Sequence, residues 1–441
     1  MRKREGKIVL DKKNIIKEGI TFHQIETNKF KTNLFALFLA IPLEKDEVTK
    51  RALIPAVLRR GSKNYPTQEL MSKTLEEMYG ASFDCGIDKN GENQIIKFYI
   101  EGINEKFLPE KEKINEKCFD MLLEIVFQPK MEEGHFDPAY VESEKANLKN
   151  IISSKIDNKR KYALDRCIEE MYQDDAFGIY KYGYLEDVDP ITTEDLTKAY
   201  QTLLQKAKID IFVSGDQIGD LFEHIQNHPL IQNLEARKPE FRINQVIRKE
   251  KVSFSIKPKK VVEETMQVNQ GNLIIGLDLG IEKEEEKEVA NVYNAILGGG
   301  ANSKLFQNVR EKASLAYTAG ANYTKQKAVI FIRSGIEIQN YDQAVTIILK
   351  QIEDLKNGAF TEEDVENAKE LLKASLRGIP EEQDSELTYY YGQELSGKET
   401  SLEEYLQKVE LVTKQQVEDL AQRVCTNTIY FLRNEGKEAK E

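Results

Sequence analysis

The sequence contains four histidines, and paired histidines can hold a catalytic metal ion. His224 and His228 are four residues apart, which places two imidazoles on one face of a helix where they could share a tetrahedral zinc ion. No glutamate lies between them to activate a metal-bound water, and Pro229 follows at once. The pattern therefore favours a solvated helix end over a metal site.

The other two histidines, His23 and His135, stand alone in the sequence. The zinc-binding pattern His-x-x-Glu-His, in which two histidines bind the metal and the glutamate activates its water, occurs nowhere in the 441 residues. The histidines thus predict no catalytic metal site in this chain.

A glycine run, Gly298-Gly299-Gly300, opens the segment LGGGANSKLFQNVREKASLAY at 297–317. Consecutive glycines let the backbone pass close to a neighbour or a substrate without a side-chain clash. No Gly-Lys-Ser/Thr follows, so this is not a phosphate-binding loop. Arg310 and Tyr317 complete the segment with guanidinium and phenol donors. Taken without further context, they favour an arginine that caps a helix and a tyrosine that fills the edge of a core.

The elements that must position these residues occur twice. Three stretches of the first half match three of the second in the same order, and chance similarity of helical patterns is the alternative explanation. We predict two homologous domains, 1–232 and 251–441, joined by a charged linker at 233–250. The matching pairs are AVLRRG (56–61) with AILGGG (295–300), IIKFYIEG (95–102) with VIFIRSG (329–335), and KIDIFVSG (208–215) with TIYFLRN (428–434).

Local signals predict an α+β fold in which each half is a sheet with helices packed on one face. Ser401 and Thr413 each precede a Glu or Gln by three residues, the capping-box pattern of a helix start. Thr67 follows a proline and precedes one apolar helical face. The continuous apolar run Leu34–Ile41 predicts a central strand.

Composition limits the class of protein. Hydrophobic residues make up 40% of the chain and the net charge is −12, which argues against a nucleic-acid partner. The four cysteines form no Cys-x-x-Cys pair and are expected to be reduced. The longest apolar run is about half of the roughly 20 residues that a membrane span needs, and the N-terminus has no apolar signal region. A cytoplasmic protein without membrane segments is expected.

The segment 297–317 and the duplication together resemble the insulinase- or pitrilysin-like zinc peptidases of family M16, especially their short two-domain members. Members share a glycine-rich turn, a Ser-x-Leu-Phe step, Val-Arg-Glu-Lys and then Leu-Ala-Tyr. The resemblance covers nearly the whole chain. It implies two homologous α+β domains of the LuxS/MPP-like metallohydrolase fold.

In that family the arginine and tyrosine of this segment hydrogen-bond the substrate carbonyl near the scissile bond. The resemblance assigns this role to Arg310 and Tyr317, because amide hydrolysis develops negative charge on the carbonyl oxygen. It further implies that Gly298, Gly299 and Gly300 approach the substrate. The peptide would add as a strand along Ala81, Ser82 and Phe83, which correspond to the family's substrate-binding sheet edge.

The resemblance does not extend to the family's metal-binding residues. The family's inverted zinc motif, counted back from Gly61, falls on residues that cannot bind a metal ion or take a proton. The third ligand, expected seven residues beyond Glu144, is also replaced. The chain is therefore expected to hold no metal and to have no catalytic residue of its own. The degenerate positions are Ala52, Pro55, Ala56 and Ile151.

The resemblance implies a zinc-less subunit that gives peptide and oxyanion contacts to a zinc-bearing M16 subunit, in a heterodimer or else a homodimer, for peptide processing. One alternative is a non-catalytic peptide-binding or scaffold protein, linked through relatives to the modification of elongation factor P. Another is a lone peptidase with an unrecognised site. Zinc is expected only in the partner.

Overall fold

The structure is a computed structural model that describes residues 12–216, 218, 221–243, 246–247, 252–398 and 400–434. Residues 1–11, within the N-terminus where no signal peptide is predicted, and part of the predicted linker lie outside that description. Two compact units are formed. The first comprises Met1–Ser154, Ile179–Ile243 and Ile379–Glu399, and the second Lys155–Gly178, Asn244–Gly378 and Thr400–Glu441. Across the described helices, no apolar stretch is long enough to cross a membrane.

The first unit contains a six-stranded sheet and a small two-stranded one. Its strands are β1 (Lys12–Lys17), β2 (Ile20–Glu26), β3 (Thr32–Pro42), β4 (Ser82–Asn90), β5 (Asn93–Ile103), β6 (Met131–Glu132), β7 (His135–Phe136) and β8 (Lys208–Gly215). The large sheet has the order β1-β2-β8-β3-β5-β4. The predicted central strand is confirmed, because β3 pairs with β5 and β8 and is buried from Asn33 to Pro42.

The helices of this unit surround the large sheet. They are α1 (Lys45–Leu58), α2 (Gln68–Glu77), α3 (Ile114–Phe127), α4 (Pro138–Ser153), α6 (Thr193–Lys206), α7 (Leu221–Asn227), α8 (Pro229–Gln232) and α12 (Gln383–Leu395). The predicted start of α2 is confirmed, since the Thr67 side chain accepts a hydrogen bond from Leu70 N.

The second unit contains a five-stranded sheet. Its strands are β9 (Lys260–Thr265), β10 (Gly271–Leu279), β11 (Ala316–Thr324), β12 (Val329–Ile336) and β13 (Val424–Arg433), in the order β11-β12-β10-β13-β9. Its helices are α5 (Lys159–Met171), α9 (Glu286–Gly298), α10 (Tyr341–Lys356), α11 (Glu362–Arg377), α13 (Leu402–Glu410) and α14 (Lys414–Ala421). The capping boxes predicted at Ser401 and Thr413 begin α13 and α14.

The two sheets share one topology. The run β2-β8-β3-β5-β4 corresponds to β9-β13-β10-β12-β11. In each run the first pair is parallel and the remaining pairs are antiparallel. The duplication inferred from matching sequence stretches therefore corresponds to a repeated arrangement of strands.

Each half of the sequence contributes one helix to the unit formed mainly by the other half. Helix α5 follows α4 along the chain but covers Ile274, Phe331 and Tyr430 on the second sheet. Helix α12 follows α11 but covers the first sheet, where Tyr391 stacks on Phe38 with ring centroids 4.0 Å apart. The prediction of helices on one face is thus incomplete, because the exchanged helix covers the opposite face of each sheet.

Buried charges fasten α12 to the first sheet. His23 Nε2 lies 2.9 Å from Asp210 Oδ1, and both side chains are almost wholly buried. The Lys208 ammonium contacts Asp210 and lies 3.0 Å from Glu394 Oε1 on α12. Lys13 lies 2.9 Å from the other Glu394 oxygen. Two carboxylates face two ammonium groups, so the charges balance within this network.

The network makes stability depend on acid pH. Burial by itself raises the pKa of Asp210, but Lys208 and His23 outweigh burial and hold that pKa below its ordinary value. An unfolded aspartate titrates near about 3.9. Because the folded-state pKa is lower, the stabilisation is complete above about pH 4 and is lost as the pH falls through the folded-state pKa. Urea unfolding should show that the free-energy difference between wild type and Asp210→Asn shrinks below about pH 4. A difference that stays constant to lower pH would contradict this.

Candidate functional site

The positions that the sequence resemblance assigns to the family's zinc ligands lie on α1 and α4. Ala52 is 5% exposed, Pro55 is buried inside the helix, and Ala56 is half-buried. Ile151 lies on α4 with 44% of its surface exposed. Methyl, pyrrolidine and sec-butyl side chains have no atom that can bind zinc. The residues present therefore do not fit the metal.

An ion pair holds these two helices together where the metal ligands are missing. Arg60, just beyond the end of α1, contacts the Glu144 carboxylate of α4 through Nε and Nη2. Its Nη2 also lies 3.0 Å from Ser143 Oγ, and Asn147 Nδ2 donates to Glu144 at 3.0 Å. The sequence pointed to Glu144 only as a marker for the lost third ligand, and the pairing with Arg60 was missed. The adjacent Arg59-Arg60 was the available signal.

A second potential metal site lies elsewhere in the first unit. In the described part of the chain, His23, Asp210 and Glu394 offer donor atoms within 4.8 Å of one another. The Lys208 ammonium already contacts both carboxylates. A divalent cation would have to displace that ammonium, because like charges repel strongly in a buried site. These residues are accounted for by the attachment of α12.

The histidine pair singled out by its spacing also has a structural role. His224 lies near the end of α7, and His228 caps α8 by accepting a hydrogen bond from Leu230 N at 3.2 Å. Both imidazoles face Asp120 of α3, at 2.5 and 3.6 Å. Burial lowers the pKa of His228 against the opposing charge of Asp120. They lie at helix ends as predicted, but half-buried rather than solvated.

The strand expected to receive a peptide is an edge strand. Among the described residues β4 pairs only with β5, which makes it an edge strand. Part of that edge is occupied by side chains: Asp84 Oδ1 accepts from Cys85 N at 2.9 Å, Asp88 Oδ1 accepts from Lys89 N at 2.8 Å, and Lys181 Nζ donates to Ile87 O at 2.8 Å. Ala81 is buried just before it, Ser82 is exposed and Phe83 packs half-buried on the core. Cys85 Sγ donates to Pro55 O at 3.3 Å, which ties β4 to α1 beside the degenerate metal positions.

Arg310 lies in a seven-residue π-helix, Phe306–Lys312. Such helices are rare and are often found at functional sites. Its guanidinium carbon lies 4.5 Å from the centre of the Phe306 ring, and 45% of the side chain is exposed. The nearest carboxylate, Glu311, is 3.6 Å away. Stacking therefore orients the charge while its donors remain available to a ligand.

Tyr317 lies at a bulge in edge strand β11. The pairing of β11 with β12 shifts register between Ala316 and Thr318, which leaves Tyr317 as the extra residue. A bulge redirects the side chain of the extra residue. The side chain is 68% exposed, so it does not fill the edge of a core. Neither the π-helix nor the bulge had a signal in the sequence that we recognised.

The glycine run packs against its own unit. A Cβ on Gly298 would lie 2.5 Å from Ala321 N and 2.7 Å from Ala321 Cβ, so α9 approaches β11 through this glycine. A Cβ on Gly299 would lie 2.7 Å from Ala295 Cα. A Cβ on Gly300 would contact only the flexible end of the Leu371 side chain, with Cδ2 at 3.3 Å. Gly298 makes the expected close backbone approach, and it makes it to β11. The approach of the three glycines to a substrate remains a prediction.

This packing predicts unequal effects of alanine along the run. Gly298→Ala should destabilise the protein by about 1–3 kcal/mol, because a backbone atom of β11 must move. Gly300→Ala is the matched control and should change stability by less than about 0.5 kcal/mol. Denaturant unfolding of both variants measures the difference. Equal stability of the two variants would contradict the close packing of α9 on β11.

Known proteins resemble this chain in sequence over most of its length. A family model described as the peptidase M16 inactive domain matches residues 190–372. The probable inactive metalloprotease YmfF of Bacillus subtilis (strain 168) is 35% identical over 417 residues, which cover 94% of this chain and 96% of that protein. The chain belongs to peptidase family M16. The uncharacterized zinc protease YmxG of the same strain is 24% identical over 306 residues, covering 66% of this chain and 70% of YmxG.

Solved structures confirm the two-domain M16-like fold. A conserved protein from Enterococcus faecalis V583 superposes with a TM-score of 0.84 at 27% identity, over 96% of this chain and 98% of that one. A peptidase M16 inactive domain from Pseudomonas fluorescens gives a TM-score of 0.74 at 17% identity, over 96% and 98%. The second likeness concerns the fold alone. The family model and the YmfF relative make this M16 chain a homologue of probable inactive metalloproteases.

Proposed function

We propose that this chain is the zinc-less subunit of an M16-type metallopeptidase and supplies peptide-binding and carbonyl-binding groups to a zinc-bearing partner. The observation that carries the proposal is the exposure of Arg310 and Tyr317 on a π-helix and a bulge, in a chain whose Ala52 and Pro55 cannot serve a metal. Arg310 is 45% exposed beside Phe306 and Glu311, and Tyr317 is 68% exposed, so both can donate hydrogen bonds to a ligand.

The first unit would hold the peptide. An extended peptide that pairs with the edge of β4 would displace the Asp84 carboxylate from Cys85 N and gain main-chain hydrogen bonds whatever its side chains are. Exposed Ser82 leaves the backbone accessible at the start of the strand, and half-buried Phe83 offers apolar contact on the side of α1. This mode of binding suits an unfolded or flexible peptide.

The second unit would stabilise charge. As the substrate carbonyl oxygen becomes negative, the Arg310 guanidinium and the Tyr317 hydroxyl donate hydrogen bonds to it. Both groups face water in the isolated chain, where the high dielectric weakens their effect. Their effect would grow when substrate and partner exclude that water. Activation of the attacking water is left to the partner subunit.

The test is reconstitution. The purified chain is mixed with a zinc-bearing M16 relative from the same source, and cleavage of a quenched fluorescent peptide is followed. The proposal expects cleavage by the mixture well above the sum of the separate proteins. A relative that cleaves equally fast with and without this chain would overturn it. Peptide binding without any effect on cleavage would favour the scaffold role.

A further inference from the structure

We propose that Arg59 binds the C-terminal carboxylate of a peptide lying along β4, beside the positions that lack metal ligands. The inference rests on the proposed peptide-binding role of β4 and names the chemistry of its ligand. In place of a metal ion that activates water for attack on a peptide bond, the first unit would offer a cation that selects a free peptide end.

Arg59 is an available cation. It caps α1 and its side chain is exposed, whereas the neighbouring Arg60 is engaged by Glu144. Within the described ranges, the Arg59 guanidinium has no ion pair, hydrogen bond or ring contact. The partial negative charge at the C-terminal end of a helix favours a cation there. This attraction does not use the N–H donors of the guanidinium.

Backbone geometry places Arg59 beside the middle of β4. The Pro55 carbonyl accepts a hydrogen bond from Arg59 N at 3.1 Å, and the Cys85 thiol donates to the same oxygen at 3.3 Å. Arg59 and Cys85 therefore meet at one carbonyl oxygen. The electrostatics agree, since burial raises the pKa of Cys85 to about 12 and the Arg59 charge is the leading influence that opposes this rise.

The two acidic residues of β4, Asp84 and Asp88, are exposed on the face away from α1. Side chains alternate along a strand, so Asp84 points to the face opposite that of Phe83 and Cys85. Phe83 and Cys85 pack against the hydrophobic core of the first unit, to which α1 contributes, whereas Asp84 is exposed. The Asp84 carboxylate accepts a hydrogen bond from Cys85 N at 2.9 Å, so a peptide end at the level of Cys85 would displace it from that amide and would meet Arg59 on the α1 side.

A C-terminal carboxylate fits this arrangement better than an internal carbonyl. The planar guanidinium can donate two parallel hydrogen bonds to the two oxygens of a carboxylate, and bonds between charged groups are about twice as strong as neutral ones. An internal peptide carbonyl offers one neutral oxygen. The predicted ligand class is an extended peptide with a free C-terminus, such as the end of a polypeptide or a fragment released by proteolysis.

The experiment uses pairs of fluorescein-labelled, Val/Thr-rich peptides that differ only in a free or an amidated C-terminus. Anisotropy with the full-length chain should show the free acid binding about tenfold more tightly or better. Arg59→Gln should abolish the difference while leaving the affinity for the amide unchanged, and Arg59→Lys should keep part of it. Arg377→Gln, at an exposed arginine of the second unit, is the matched control and should keep it fully.

Equal binding of acid and amide by the wild type, or a difference that survives in Arg59→Gln, would overturn the role of Arg59 while leaving strand capture intact. No binding of either peptide would overturn the strand capture on which this inference rests. An amide peptide with an added N-terminal aspartate should bind like the plain amide. If it binds like the free acid, the preference reflects net charge and the inference fails.

Discussion

Replacing Arg310 by alanine should lower the kcat of the reconstituted peptidase by about 10²–10³-fold, the usual cost of losing one donor to the carbonyl oxygen of the transition state. The side chain contributes little to folding, because it is 45% exposed and contacts mainly the Phe306 ring. The loss should therefore appear in turnover while the unfolding temperature of the isolated chain stays almost unchanged. Peptide hydrolysis at a saturating concentration of the variant measures it.

Two further variants separate the donor from its charge. Arg310→Lys keeps the positive charge but loses the planar fork, so part of the turnover should return. Arg377→Ala removes an exposed arginine of α11 and should leave turnover unchanged. If Arg310→Ala binds the partner normally and turns over like wild type, Arg310 does not act on the substrate and the scaffold role is favoured.

Asp210→Ala should destabilise the protein by about 3–5 kcal/mol, the usual cost of removing one partner from a buried ion pair. The substitution leaves the Lys208 ammonium with Glu394 as its remaining carboxylate contact and takes the carboxylate from His23 Nε2. Total stabilities are about 5–15 kcal/mol, so the loss is a large fraction. Urea unfolding at neutral pH measures the change.

The control is Asp174→Ala, at an exposed aspartate, which should change stability by less than about 0.5 kcal/mol. Should Asp210→Ala prove too unstable to purify, Asp210→Asn keeps the shape of the side chain and should still unfold at a lower urea concentration than wild type. A loss no larger than that of Asp174→Ala would show that the network does not fasten α12.

Sequence patterns predicted the elements that depend on local or periodic signals. The capping boxes at Ser401 and Thr413 are recognisable because each side chain bonds a backbone amide three residues away. The central strand was recognisable because Leu34–Ile41 is apolar without interruption. Helices were predicted on one face of the sheet only, and the structure covers the second face through α12.

Tertiary pairing was not predictable in the same way. Helices α5 and α12 are amphipathic like their neighbours, and nothing in an apolar stripe states which sheet it will cover. The pairing of Arg60 with Glu144 joins residues of two helices and depends on their packing. The π-helix at Arg310 and the bulge at Tyr317 are backbone adjustments that leave the residue pattern unchanged. The resemblance indicated which residues to consider, and the structure gave their exposure.

Zinc content tests the central claim most directly, namely that this M16 chain brings carbonyl-binding groups but no metal site of its own. The purified chain is incubated with excess zinc, dialysed and analysed for metal by mass spectrometry. With Ala52, Pro55, Ala56 and Ile151 at the ligand positions, the expected result is far less than one zinc ion per chain. Retention of about one zinc ion per chain would contradict the account.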